Sequence, residues 1–314
     1  MLPSPPVLLI FFNRPDCVAQ TLAAIRAARP ARLYLATDAP RPLVADDAVR
    51  CAAARAVVEA GIDWPCDVQR DYATANLGPD QRVTSAISWF FDQEVSGIVL
   101  EEDCVPHAAF FPFCAELLTR YATDERVGII SGDQFVAGGW HPEGDASYVF
   151  AQLTQIWGWA SWRRAWRLLD SQTMNLWPDA RRTGLLDRLF TRKRDRRYWR
   201  DRFDDCHSGR AEVWDYRWSF ARWRKGQCGI VPAQNLVSYI GFRPDALHTT
   251  GPHPAANLPV QPMAFPLRHP ADVIVDRRLD RATARILFST GSVFARAMFR
   301  LRQARRALGD LFRR

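Results

Sequence analysis

Short apolar runs alternate with helical patterns along the first 133 residues. Val7 to Phe12 is a continuous apolar run, the mark of a strand buried on both faces. Asn13-Arg14-Pro15-Asp16 breaks it, and Asp16 is placed to cap a helix through Ala28 with Val18, Leu22 and Ile25 on one side. A second strand is predicted over Arg32 to Thr37, ending at Asp38, then a helix over about Ala45 to Ala60 and a strand around Cys66 to Arg70. Gln81 to Phe91 has helical spacing, and Gly97 to Leu100 is the next strand. Phe110 to Tyr121 is again helical, followed by a strand over Val127 to Ile130. This alternation implies an α/β fold with an open, mostly parallel sheet flanked by helices. Ligands of such sheets bind at the carboxyl ends of the strands. Three polar stretches fall there: Asn13-Arg14, Asp38 and Glu101-Glu102-Asp103.

The chain then changes character. Residues 134–230 are rich in Trp, Arg and Asp, with charge runs at Arg181-Arg182 and from Arg192 to Arg197. A proline-rich stretch runs from Pro244 to Pro270, and the remainder reads as a basic amphipathic helix or helix pair. The expected organisation is one large domain over 1–270 and a helical tail over 271–314. The tail's apolar stripe and arginine-rich face suit either an anionic bilayer surface or packing on the domain itself.

Composition narrows the field. At 48% hydrophobic and 24% charged residues, the chain is an ordinary globular protein. A formal net charge of +8 favours anionic partners such as nucleotides, phospholipids, nucleic acid or acidic glycans. Nucleic acid is disfavoured because the arginines lie along a tail and form no recognisable reading module. Seven scattered cysteines without a CxxC pair indicate neither a disulfide framework nor a structural zinc site. They point to the reducing cytoplasm. The amino-terminal apolar run is too short to span a bilayer and lacks a basic lead-in, so it is read as a strand.

Glu101-Glu102-Asp103 carries the first chemistry. Adjacent like charges at the tip of a buried strand are costly unless a cation neutralises them. Carboxylates are hard ligands suited to Mg²⁺ or Mn²⁺, which bind through one or two protein carboxylates plus substrate phosphates. The alternative is a solvated acidic turn.

The segment Leu100 to Leu118, LEEDCVPHAAFFPFCAELL, resembles the metal motif of GT-A glycosyltransferases, especially bacterial nucleotide-diphospho-sugar transferases related to N-acetylglucosaminyltransferase I. The resemblance implies a GT-A fold: an open, mixed, mostly parallel sheet with a donor half over about 1–133, an acceptor half over about 134–250 and a C-terminal helical extension. It implies that Asp103 holds the divalent metal, Glu101 faces the donor sugar and Glu102 the ribose. FFNRPD is similar to the first strand–loop of these enzymes, which places Asn13 and Arg14 at the nucleotide. Asp38 resembles the carboxylate that accepts a uracil N–H, and Asn76-Leu77-Gly78 with Arg82 resembles the segment before the metal strand.

Two later stretches complete the resemblance. The family carries a Trp-Gly-Trp segment and then a Trp-Asp-x-x-Trp segment, matched by Trp157-Gly158-Trp159 and Trp214-Asp215-Tyr216-Arg217-Trp218. By that match Asp215 is the general base, with Asp205 and Glu212 in reserve. Trp157, Trp159 and Trp214 are candidates to stack on an acceptor sugar, although tryptophans at such spacing also build cores. A salt bridge from Asp215 to Arg217 is the alternative to catalysis. The Val231 to Thr250 stretch resembles the closing segment of the bacterial relatives and offers His248 as a further metal ligand.

The implied activity is a metal-dependent, inverting transfer of a sugar, GlcNAc or a related hexose, from a UDP-linked donor to a glycan, glycolipid or protein. It would act in the cytoplasm or at the inner face of the cell membrane. A nucleotidyltransferase acting on sugar phosphates is a second reading, although FFNRPD lacks the glycines of a phosphate loop. A non-catalytic glycan-binding protein with a decayed site is a third.

Overall fold

The computed structural model describes residues 3–136, 138–243 and 255–289. Strand β1 (Val7–Phe11) is buried along its whole length and serves two cores at once. Val7, Leu9 and Phe11 pack towards helices α1 (Pro15–Ala28) and α2 (Asp47–Ala60), whereas Leu8 and Ile10 pack on the opposite face with α3 (Pro79–Gln93). A strand covered on both faces has no position for a polar side chain, which explains the unbroken apolar run. β2 (Arg32–Thr37) and β3 (Asp67–Tyr72) lie on one side of β1 and β4 (Ser96–Glu101) on the other, all parallel.

β5 (Cys104–Pro106), α4 (Phe110–Arg120) and β6 (Val127–Ser131) follow. Next come β7 (Tyr148–Ala151), β8 (Trp159–Trp162), α5 (Arg163–Trp166), α6 (Trp177–Arg182) and α7 (Leu185–Leu189). The described chain continues through α8 (Lys193–His207), α9 (Trp214–Arg224), β9 (Cys228–Pro232), β10 (Val237–Tyr239) and α10 (Arg277–Ser289). The eight-stranded sheet has the order β3-β2-β1-β4-β8-β6-β9-β7. β8 runs antiparallel between β4 and β6, β9 is parallel to β6, and β7 closes the edge antiparallel. Four pairings are parallel and three antiparallel, so the sheet is the expected open, mixed, mostly parallel one. Strands from before and after residue 133 share it.

Strand order reverses at β1. Phe11 pairs with Thr37 of β2, and Ile10 pairs with Glu101 of β4. The carboxyl ends of these three strands therefore open together on one crevice, the ligand position of doubly wound sheets. A separate two-stranded ladder sets β10 antiparallel to β5 and brings Tyr239 opposite Cys104.

One expectation needs correction. Asp16 does not cap α1; the helix opens with Pro15, whose missing N–H costs nothing at that position. Asp16 lies in the first turn and pairs with Arg243. The amphipathic helix of the tail forms as α10 with its apolar face turned inwards, the packing on the domain that was one of its two alternatives. Leu279, Ala284 and Phe288 are buried, and Phe288 stacks on Tyr198 of α8 at 4.0 Å. That face is not presented to a membrane, while residues 290–314 lie outside the described residues. Among the described residues, no helix is long and apolar enough to cross a membrane.

Asp280 anchors α10. Its Oδ1 accepts the N–H groups of Gln152 and Leu153, each at 2.9 Å. Asp280→Ala orphans both donors and is expected to cost about 2 kcal/mol of stability. Hydrogen exchange should quicken at the Gln152 and Leu153 amides; unchanged protection there would contradict this anchoring role.

Candidate active site

The ends of β1, β2 and β4 surround a cavity of about 240 Å³. Asn13, Arg14, Asp38, Arg82, Glu101, Glu102 and Asp103 all line it. They come from separate stretches of sequence, and the strand order at β1 is what brings them together.

The acidic cluster already has a cation. Arg14 reaches Glu102 Oε1 through Nε at 2.5 Å and Asp103 Oδ2 through Nη2 at 2.7 Å. The Phe12 N–H donates to Glu102 Oε2 at 2.7 Å, so both oxygens of Glu102 are engaged. Burial pushes the Glu102 carboxyl up, and Arg14 with the Phe12 amide opposes it. Burial also works against the charge on Arg14, but Asp103 and Glu102 together raise its pKa above the usual value. Glu101 differs from its neighbours. Burial, with Asp103, Glu102 and Asp215 adding to it against Arg14, pushes its pKa up to about 8. This environment favours the neutral carboxyl, the form that can donate a hydrogen bond.

The remaining wall is braced by side chains whose bonds are already made. Asp38 accepts the N–H groups of Ala39, Leu77 and Gly78 at 2.9, 3.0 and 2.9 Å. It thereby fastens the 76–78 turn to the end of β2, where Gly78 has a positive φ of 77° that a side chain would resist. Arg82 is 4% exposed and grips Asp71 through Nη1 at 2.8 Å and the Asp71 carbonyl through Nη2 at 2.6 Å. Asn13 donates to Asp47 at 2.5 Å, and Arg41 pairs with the same carboxylate at 2.8 Å.

Three further polar residues line the cavity without having stood out in the sequence: Arg41, Arg50 and Tyr239. Arg41 follows the Asp38 strand end, a usable signal. Arg50 reads as an ordinary helix charge, yet its Nε bonds the Asn13 carbonyl at 3.0 Å. Tyr239 arrives through the non-local β10–β5 pairing, which no local pattern announces.

Asp215 lies half-buried in the first turn of α9. Burial pushes its pKa up to about 6; the amides at the helix start and Arg217 oppose the rise, and Asp80 adds to it. The Asp215–Arg217 salt bridge does not form, because Arg217 Nη2 binds Asp80 Oδ2 at 2.6 Å. Among the described residues Asp215 makes no ion pair. It stands outside the cavity lining, yet its charge is among those that raise Glu101. Asp205 is tied to Arg210 at 2.8 Å, and Glu212 is exposed ahead of α9.

The tryptophans divide. Trp159 is 1% exposed, with its ring against Trp218 at 4.8 Å and Trp214 at 6.1 Å, so it is core and has no free face for a sugar. Trp214 is buried in the same cluster and is corrected likewise. Trp157 is only half-buried and stacks on Tyr239 at 4.3 Å and 15°. Residues two apart on a regular strand share a face. Gly158, at φ 87°, breaks that rule and sends Trp157 and Trp159 to different surroundings. His248 lies outside the described residues.

Among the described residues no group of three His, Cys, Asp or Glu side chains is arranged to hold a metal. Asp103 nevertheless suits the lesser role of a single carboxylate in a metal–diphosphate complex. Its Oδ1 has the Cys104 thiol as hydrogen-bond neighbour at 3.8 Å, leaving that oxygen weakly engaged.

No family model matches the chain, and no curated protein sequence matches it. Among solved structures it is similar to a mannosyltransferase from Pyrobaculum calidifontis in complex with GDP-Man and Mn²⁺, at 13% identity and a TM-score of 0.34. That likeness covers 52% of this chain and 46% of the mannosyltransferase. It is also similar to HddC from Yersinia pseudotuberculosis complexed with GMP-PN, at 10% identity and a TM-score of 0.32, over 51% of this chain and 78% of that one. A cytidylyltransferase from Leptospira borgpetersenii shows 11% identity and a TM-score of 0.31, over 55% of this chain and 65% of that one. Likenesses this faint transfer no activity.

Proposed function

We propose that the chain is an inverting glycosyltransferase that moves a sugar, GlcNAc or a related hexose, from a UDP-linked donor to a hydroxyl of a glycan, glycolipid or protein. The observation that carries this reading is the meeting of Arg14, Asp38 and the Glu101–Asp103 carboxylates around one cavity, with Asp215 within electrostatic reach of Glu101.

In this account the nucleotide occupies the crevice between β1 and β4. Asp38 holds the 76–78 turn that forms its wall. Arg14, Arg41 and Arg50 line the same space and give the diphosphate a cationic setting, with guanidinium forks matched to phosphate oxygens. Asp103 would hold Mn²⁺ or Mg²⁺, which supplies charge neutralisation for the departing diphosphate. Arg14 must then give up its bond to Asp103 and turn to the phosphates. Glu101, protonated before the donor binds, donates to an oxygen of the transferred sugar.

Asp215 takes the proton of the acceptor hydroxyl as that oxygen bonds to the anomeric carbon. The bond from that carbon to the diphosphate oxygen breaks on the opposite face, and the nucleoside diphosphate leaves with the electron pair. A carboxylate pushed up to about 6 is a stronger base than an exposed one and is still mostly ionised at pH 7. The rate should therefore fall as pH drops through about 6, where Asp215 gains its proton. Trp157, stacked on Tyr239, is left as the candidate acceptor platform.

A thermal-shift screen of nucleotide sugars with and without Mn²⁺ tests the donor assignment. One UDP-sugar should raise the melting temperature, and Mn²⁺ should enlarge the shift. Stabilisation by no nucleotide sugar under either condition would overturn it.

A further inference from the structure

The ladder between β5 and β10 runs on past its last strand pair. Tyr239 sits opposite Cys104, and the Ile240 N–H then donates to the Asp103 carbonyl at 2.9 Å. Residues 239–241 are thereby laid alongside 103–104, and Gly241 falls against the Asp103 side chain itself. A methyl group on its Cα would lie closer to Asp103 Oδ2 than real contacts allow, and 2.6 Å from both Cζ and Oη of Tyr239. Glycine serves here by its lack of a side chain, because the main chain meets a carboxylate directly.

The neighbours have little room to give way. Asp103 is 3% exposed, and its Oδ2 is held by Arg14 Nη2 at 2.7 Å. The Tyr239 ring is stacked on Trp157 at 4.3 Å. The segment is fastened at one end by the ladder and at the other by Arg243, which pairs with Asp16 in the first turn of α1. Oδ2 thus lies between a guanidinium and a main-chain wall, whereas the hydrogen-bond neighbour of Oδ1 is the Cys104 thiol at 3.8 Å.

We propose that Gly241 is a positioning residue for Asp103: its missing side chain lets the 239–241 segment close on the carboxylate and fix its orientation, with Oδ1 as the oxygen offered to a divalent cation. This rests on Asp103 being the metal ligand. The wall at 241 matters most once Arg14 turns to the phosphates, because it then remains against Oδ2. Mg²⁺ demands near-ideal octahedral placement of its ligands, so a small rotation of the carboxylate is costly. A side chain at 241 forces such a rotation while the cavity's arginines keep their places.

The test is the dissociation constant of UDP, measured by calorimetry on the full chain in EDTA and across a series of Mn²⁺ concentrations. In Gly241→Ala, binding in EDTA should be kept, and the Mn²⁺ concentration that gives half of the tightening should rise about 10–100-fold. An unmoved Mn²⁺ dependence overturns the proposal, whatever happens to the melting temperature. Asp280→Ala, destabilised beside β7, should keep the wild-type dependence; a shift equal to that of Gly241→Ala would make the effect general damage and overturn it too. The metal-free melting temperatures give a second reading. Gly241→Ala should cost less stability in an Asp103→Ala background than alone, since the conflict with the carboxylate has gone. Equal costs would place the conflict elsewhere and reject the contact. Asp103→Ala also separates the failures. If it loses the Mn²⁺ effect while Gly241→Ala keeps it, the role of Gly241 alone is rejected, whereas a full Mn²⁺ response in Asp103→Ala rejects the metal assignment beneath it.

Discussion

Asp215→Asn is expected to bind the donor as the wild type does, while kcat falls by about 10²–10⁴-fold. The amide keeps the size of the side chain but cannot take a proton, so the loss falls on the chemical step. Asp215 makes no ion pair among the described residues, and the substitution therefore leaves no stranded partner charge. The acidic limb near pH 6 should vanish with the carboxylate that causes it. Donor-induced thermal shift and kcat, measured on one preparation, check both halves. Full transfer by Asp215→Asn would return attention to Asp205 and Glu212.

Asp103→Ala should abolish the metal-dependent part of turnover, a loss of about 100-fold or more if the metal supplies several kcal/mol of charge stabilisation. The extra thermal shift that Mn²⁺ adds to the donor should disappear as well. The variant carries an internal check, because Arg14 is left with Glu102 as its one remaining carboxylate partner in the cluster. Some donor affinity should survive through the cavity's arginines. A variant that still responds fully to Mn²⁺ would place the metal elsewhere.

These expectations depend on features of unequal legibility. The apolar run of β1 and the polar ends of β1, β2 and β4 are local patterns, and they located the crevice. Their partners in three dimensions were not local. Arg14 lines the cavity as expected of a nucleotide contact, and it also lies across Glu102 and Asp103, at 2.5 and 2.7 Å. Nothing in FFNRPD could disclose that reach, which depends on β4 pairing beside β1. Trp159 and Trp214 show the converse. Both are candidates to stack on an acceptor sugar, and long-range packing with Trp166 and Trp218 makes them core, the alternative that such spacing also allows. A positive φ at one glycine separated Trp157 from that fate.

The three adjacent carboxylates also sort by environment. Glu102 is held by Arg14 and a backbone amide, Asp103 shares the same arginine, and burial pushes the Glu101 carboxyl upwards. One cluster thus places its three carboxylates in different surroundings. The resemblance implies a different role for each; burial and a single guanidinium already make their environments differ.

Glycosyl transfer and nucleotidyl transfer break different bonds of the same donor, so their phosphorus products differ. The direct measurement is ³¹P NMR of the protein with UDP-sugar, Mn²⁺, pyrophosphate and a hydroxyl-acceptor mixture, beside Asp215→Asn. The account predicts formation of UDP that needs acceptor and is lost in Asp215→Asn. Formation of UTP and sugar 1-phosphate at the expense of pyrophosphate, undiminished in Asp215→Asn, would contradict it.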